Sequence, residues 1–259
     1  MPTAFVSGLS IHYLLAGGGP TRLCLVHGAG GAAGLWIRQL EELTDIAQMV
    51  ALDLPGHGQS GGPGCDRIAD YVRAVRELLD ALGHSKVVLC GHSMGGAVAQ
   101  AFALAHPNYL AGLVLVGTGA RLRVLPKIFE LLARDYPEGV RFVSRLAVSL
   151  GAPGHLLESL IRQTLSTSQA VVIGDFRACD AFDVMARLGE IRTPTLVICG
   201  TDDQLTPPKY AQFLRDHIAG ARLVLISGAG HYVQLERPDE TTAALREFLA
   251  YLTPPQIRH

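Results

Sequence analysis

The chain of 259 residues carries a formal net charge of -1, from 22 Lys and Arg against 23 Asp and Glu, and 49% of its residues are hydrophobic. This near-neutrality argues against nucleic acid or an anionic membrane surface as a partner, and no uncharged apolar run reaches spanning length, so no membrane span is expected. The length accommodates one large domain with a sizeable buried core, with or without a modest insertion.

Met1-Pro2-Thr3-Ala4-Phe5 opens without a basic segment leading into an apolar stretch, so a cytoplasmic location is expected. Five cysteines are an odd number, and Cys24, Cys90 and Cys199 fall inside apolar runs, which favours structural thiols over disulfides. Phe5-Val6 and 11–15, separated by Ser7-Gly8-Leu9-Ser10, predict a short opening hairpin. The apolar run 23–26 predicts a strand ending in the glycine-rich loop His27-Gly28-Ala29-Gly30-Gly31, where a ligand can approach the backbone closely. A helix is predicted around 36–43 and a second buried strand over 49–52, closed by the Pro- and Gly-punctuated loop 53–60.

From Asp66 onward, apolar residues at Ile68, Tyr71, Val72, Val75, Leu78, Leu79 and Leu82 mark one face of a helix that Gly83 ends. The run Val87-Val88-Leu89-Cys90 then leads into Gly91-His92-Ser93-Met94-Gly95, with good helix formers following to about His106 and a strand over 113–116. Strands that lack polar alternation, interleaved with amphipathic helices, indicate an α/β fold with a mainly parallel central sheet flanked by helices. The rhythm breaks over 119–191, where helices are predicted at 128–136, 140–150, 156–165 and 170–188. It resumes with strands at 195–199 and 223–226 and helices from about 208 and over 238–251. The organisation expected is therefore a core of 1–118 and 192–259 with a helical lid, 119–191, inserted in it.

Ser93 falls at a strand-to-helix junction, the context of a nucleophile elbow. Such a turn is sterically strained, and Gly91, Gly95 and Gly96 remove the Cβ atoms that would collide there. A helix starting at Met94 also aims unpaired N–H groups at the serine. A serine hydroxyl needs an imidazole to take its proton and a carboxylate to orient that imidazole. Functional groups gather at the carboxyl ends of parallel strands, which leaves His27, His57 and His231 of the ten histidines. His27 and His57 read better as loop-bracing residues, and His92, although it adjoins Ser93, is expected to point elsewhere. Asp53 reads as a loop brace with no chemistry. The loop 200–207 supplies two neighbouring carboxylates, Asp202 and Asp203, either of which can orient a histidine.

The order Ser93, then Asp202 or Asp203, then His231, with the loops 27–31, 53–60, 91–95, 200–207 and 230–231, resembles the α/β-hydrolase fold enzymes from about Leu23 to Leu252. That resemblance implies Ser93 as nucleophile, His231 as base and, by the family's glycine-to-acid-to-proline spacing, Asp203 as the acid. It also implies an oxyanion hole formed by the backbone N–H groups of Ala29 and Met94. The expected activity is that of a serine carboxylesterase or monoacylglycerol-lipase-like enzyme acting on a small-molecule ester with an apolar portion. Carbon–carbon bond hydrolases, lactonases, thioesterases and perhydrolases of the same fold are the alternatives, and a non-enzymatic ligand sensor is a remote one. Trp36, Phe129, Phe142 and Phe176 are expected to line the substrate pocket, ordinary packing being the competing role. No histidine cluster has zinc-ligand spacing and no phosphate-cradling glycine motif is present, so neither metal nor cofactor is expected.

Overall fold

The computed structural model describes residues 2–252, and in it the apolar runs form one eight-stranded sheet. Strands β1 (Thr3–Val6) and β2 (Leu9–Ala16) make the opening hairpin, joined by Ser7 and Gly8 with φ of 48° and 79°. Two successive positive φ values match the right-handed twist of the strands they join. Strands β3 (Thr21–Val26), β4 (Ala47–Leu52), β5 (Val87–His92), β6 (Leu110–Val116), β7 (Thr195–Gly200) and β8 (Arg222–Ile226) follow. The spatial order is β1-β2-β4-β3-β5-β6-β7-β8, parallel from β4 onward, with β2 antiparallel to both of its neighbours.

Helices cover both faces of the sheet, which is why strands such as β5 and β7 are buried at every position. On one face lie α2 (Ile68–Ala81) and α3 (Met94–Ala105); α1 (Ile37–Glu42) packs on the other. The apolar stripe of α2 is buried as its spacing predicts, and Gly83 terminates it at φ 66°. Each fully buried Leu or Val of that stripe contributes roughly 1.5–3 kcal/mol. The predicted helix at 36–43 is shorter than expected, because a 3-10 turn over Ala33–Trp36 precedes α1.

Between β6 and β7 the chain forms α4 (Pro126–Arg134), α5 (Tyr136–Ala147), α6 (Gly154–Leu165) and α7 (Gln169–Asp180). The predicted continuous helix over 170–188 stops at Asp180. Phe182 turns into the main core, Asp183 bridges to Arg121, and its carboxylate accepts the Met185 N–H, so 3-10 geometry resumes only at Met185–Glu190. After β7 come α8 (Pro208–His217) on the α2 face, then a short α9 (Val233–Glu236) and α10 (Pro238–Leu252) on the α1 face. The outermost residues of the expected core, Met1 and 253–259, lie outside the described residues.

All five cysteines are free thiols, four of them buried, and burial pushes Cys24 and Cys199 up to about 12. Among the described residues no helix is long and apolar enough to cross a membrane.

Candidate active site

Ser93 links β5 to α3 with φ 54° and ψ -116°, a conformation that costs a non-glycine residue about 1–3 kcal/mol. Hydrogen bonds on both sides of the residue hold it there. Its N–H donates to Val116 O at 2.9 Å, while its carbonyl accepts Thr118 Oγ1 at 2.8 Å and Gly96 N at 2.9 Å. The flanking glycines are required because a Cβ on Gly91 would lie 2.0 Å from Gly95 O, and one on Gly95 would lie 2.4 Å from Val26 O. The turn is thus packed backbone against backbone, with no side chain available to yield.

Beyond the ends of β7 and β8, Asp203 and His231 meet. His231 Nδ1 donates to Asp203 Oδ2 at 2.9 Å, and both side chains are buried. Asp203 also accepts Leu205 N at 2.9 Å, Thr206 N at 2.8 Å and Thr206 Oγ1 at 2.8 Å. Burial, the largest influence, pushes the Asp203 carboxyl up, but the facing imidazole and the Thr206 donors outweigh it and hold the group below its ordinary value. Asp202 instead is exposed and accepts the neighbouring Thr201 hydroxyl at 2.8 Å. Of the two neighbouring aspartates, Asp203 is the one whose carboxylate faces the histidine. With Nδ1–H committed to the carboxylate, Nε2 carries the lone pair. Ser93 and His231 line the same cavities, although the ring's hydrogen bonds among the described residues do not include one to Ser93 Oγ.

Three further histidines near the site brace the surrounding loops. His92 does not point idly away: its Nε2 donates to the His231 carbonyl at 3.0 Å, and burial followed by the His231 ring pushes it down to about 3, so it is neutral. His27 donates from Nδ1 to Gly28 O at 2.7 Å and accepts Leu54 N on Nε2 at 3.0 Å, and burial lowers it to about 4. His57 directs both ring nitrogens at acceptors, Pro55 O at 3.1 Å and Asp175 Oδ2 at 2.8 Å. Burial works against the charged ring, but the Asp175 carboxylate more than compensates and raises it. Asp53 is a loop brace as expected, taking His12 Nδ1 at 2.7 Å and the N–H groups of Ala33 and Gln59 at 2.7 and 2.9 Å.

Two cavities meet at Ser93, sharing Ala29, Phe176, Leu205 and His231. The smaller, about 40 Å³, is walled by Val140, Val143, Ser144 and Ala147, an i, i+3, i+4, i+7 stripe of α5, together with Leu132 and Val172. The larger, about 400 Å³, runs past Leu122, Val124, Ile128 and Leu146 to Arg123 and Lys209. Ala29 and Met94 each present a backbone N–H that no other group among the described residues takes up.

Of the aromatic residues expected in the pocket, Phe176 lines both cavities and the other three line neither. Trp36 is fully buried under the sheet with Leu40, Met49 and Phe248. Phe142 packs among the inserted helices with Leu132 and Val140. Phe129 is next to Ile128 on α4, and the 100° turn between successive helical residues takes it off the cavity face that Ile128 occupies. The sequence reading also passed over Thr206, Thr118 and Asp175. Only Thr206 had a local signal, an acceptor Asp three residues before a Thr-Pro pair.

The sequence model of the alpha/beta hydrolase family matches residues 25–245. The chain is 32% identical to a 2-hydroxy-6-oxo-6-phenylhexa-2,4-dienoate hydrolase of Comamonas testosteroni, over 94% of this chain and 92% of that one. It is 29% identical to a pimeloyl-(acyl-carrier protein) methyl ester esterase of Nitrosomonas europaea, over 89% of this chain and 96% of the relative. Among solved structures, a thermophilic esterase superposes with a TM-score of 0.87 at 36% identity, covering 97% of this chain and 98% of its own.

Proposed function

The chain belongs to the alpha/beta hydrolase family, and from that premise we propose that it is a cofactor-independent serine esterase with Ser93 as nucleophile, His231 as base and Asp203 as the orienting acid. The observation that carries this reading is the buried Asp203–His231 pair opening on a cavity that also holds Ser93 and the two uncommitted N–H groups of Ala29 and Met94. In this reading, His231 Nε2 takes the Ser93 proton as Oγ attacks the ester carbonyl. The tetrahedral oxyanion is held at Ala29 and Met94, and the imidazolium returns its proton to the departing alcohol. Water activated by the same ring then releases the acid from Ser93. The inserted helices 119–191 act as the lid that walls the site, consistent with the α5 stripe and Phe176 on its cavities.

The two cavities take the two halves of the ester. A space of about 40 Å³ holds only a few heavy atoms, whereas 400 Å³ accommodates a ring. In p-nitrophenyl esters the aryl group fills the larger cavity, which leaves the small one for the acyl chain. The expected result is a kcat/KM highest between acetyl and butyryl and at least about tenfold lower for octanoyl, because each further methylene must open a packed wall. A steady rise through octanoyl would place the acyl chain in the larger cavity; no turnover of any ester by the folded protein would overturn the esterase reading.

The 32% identity to the dienoate hydrolase supports a second reading, hydrolysis of a carbon–carbon bond beside a ketone by the same residues. Absorbance loss of a 2-hydroxy-6-oxo-dienoate, exceeding ester turnover in kcat/KM, would select it.

A further inference from the structure

Asp175 lies on α7, fully buried, and three separate segments of the core converge on its carboxylate. Oδ2 accepts the Gly30 N–H at 2.8 Å from the loop after β3, and His57 Nε2 at 2.8 Å from the loop after β4. Oδ1 accepts the Tyr71 hydroxyl at 2.5 Å from α2. Because His57 also faces Pro55 O, both of its ring nitrogens are engaged, and the His57–Asp175 contact is sealed between the inserted helices and the core. None of the proposed chemical steps uses it.

Its connection to the chemistry runs through Gly30. Gly28, Ala29, Gly30 and Gly31 form a tight turn closed by Gly31 N donating to Gly28 O at 3.1 Å. Gly30 has φ 62° while Ala29 keeps a negative φ, the pattern of a type II turn. The near end of this turn is tied by His27 Nδ1 to Gly28 O. The peptide between Ala29 and Gly30 is the one whose reversal separates type II from type I, and its N–H is held by Asp175. A Cβ on Gly30 would lie 2.8 Å from Thr164 Cγ2, so the inserted helices also press on the turn from outside.

We propose that Asp175 is a positioning residue for the oxyanion hole: from the helical insertion it fixes the turn that carries the Ala29 N–H, so the hole is complete only while α7 is seated on the core. Seating the insertion and assembling the transition-state donor are then one event. The inference rests on the reading of Ser93 as nucleophile and Ala29 as oxyanion donor.

The test compares Asp175→Ala, Asp175→Asn and Tyr136→Phe on the best p-nitrophenyl ester, with the inhibition constant of a short alkylboronic acid that forms a tetrahedral adduct on serine. Tyr136 ties the inserted helices to one another through the carbonyls of Thr164 and Thr167 at 2.8 and 2.7 Å and makes no hydrogen bond to the 28–31 turn, so its variant reports loosening of the insertion with the Asp175–Gly30 bond kept. Loss of one oxyanion donor costs about 100- to 1,000-fold, and a misaligned donor loses part of that. Asp175→Ala is expected to lower kcat about 10- to 100-fold with KM within threefold, and to raise the boronate constant by the same factor as kcat/KM falls. Asp175→Asn, whose single amide oxygen can still accept Gly30, is expected to recover part of the loss. Tyr136→Phe should lower Tm yet leave kcat and the boronate constant within threefold. Should Asp175→Ala not fold, Asp175→Asn carries the comparison alone at about 3- to 10-fold.

A full-activity Asp175→Ala, a change confined to KM, an unmoved boronate constant, or an equal kcat loss in Tyr136→Phe would overturn the inference. Ser93→Ala separates the two levels. If it retains turnover, the nucleophile reading fails; if it is inactive while the Asp175 variants are unimpaired, only the positioning role fails.

Discussion

Ser93→Ala is expected to lower kcat for p-nitrophenyl ester hydrolysis by about 10⁵- to 10⁶-fold, with KM changed little. The size follows from what the substitution removes. Without Oγ the Asp203–His231 pair has no proton to take, and the acyl-enzyme route is closed rather than slowed. Ground-state binding is untouched, because the walls of both cavities and the Ala29 and Met94 N–H groups remain in place. Residual catalysis over water of about 10³- to 10⁴-fold is expected from those groups alone. Asp203→Asn should cost less, about 10⁴-fold: an amide in that position can offer N–H to the imidazole and select the wrong tautomer, yet leaves the nucleophile present. The Leu205 and Thr206 N–H groups, which both donate to Oδ1, bias the amide's orientation, since an NH₂ in that position cannot accept them and is turned towards the imidazole instead. Steady-state kinetics on separately purified variants check both figures. A Ser93→Ala protein within tenfold of the parent would remove Ser93 from the chemistry.

Gly91→Ala is expected to be the most destabilising single-methyl change in the elbow, at about 3–5 kcal/mol, enough to deplete the folded protein at growth temperature. The added Cβ would meet Gly95 O at 2.0 Å, Gly95 C at 2.3 Å and Gly96 N at 2.6 Å, all main-chain atoms of the first turn of α3. Relief requires moving β5 or α3, and each is fixed: β5 is hydrogen-bonded to β3 and β6, and α3 is packed on the sheet. Gly83→Ala provides the calibration. Its Cβ enters open space, so only the positive φ of 66° opposes it, at about 1–2 kcal/mol. Denaturant midpoints of the two variants should differ accordingly. Equal, small losses would mean that the elbow is not the rigid junction described.

The sheet was legible because parallel strands covered on both faces must be apolar throughout, and runs such as 87–90 and 195–199 announce that without reference to distant residues. The turn at Ser93 and the loop 200–207 were legible for a related reason: their constraints act between near neighbours, through glycines and turn residues. The pocket was not. Phe176 lines it whereas Phe142 and Phe129 do not, and the difference lies in how the inserted helices rotate against one another, which apolar content does not encode. Trp36 was misassigned because a large aromatic near a glycine-rich loop serves equally well under the sheet. Asp175 was invisible, its partners Gly30, Tyr71 and His57 being 145, 104 and 118 positions away. The sequence reads His57 and His27 as loop braces, but the reason that the first is raised and the second lowered from the ordinary imidazole value is a property of the assembled fold.

Covalent labelling reads out whether Ser93 is a nucleophile activated in place. An alkyl fluorophosphonate should transfer one phosphonyl group to the protein with loss of fluoride, and peptide mass spectrometry should find it on Ser93, with labelling abolished in Ser93→Ala and slowed in a His231→Gln protein. Label on a different residue, or unlabelled protein that continues to hydrolyse esters at its full rate after prolonged exposure, would contradict the assignment.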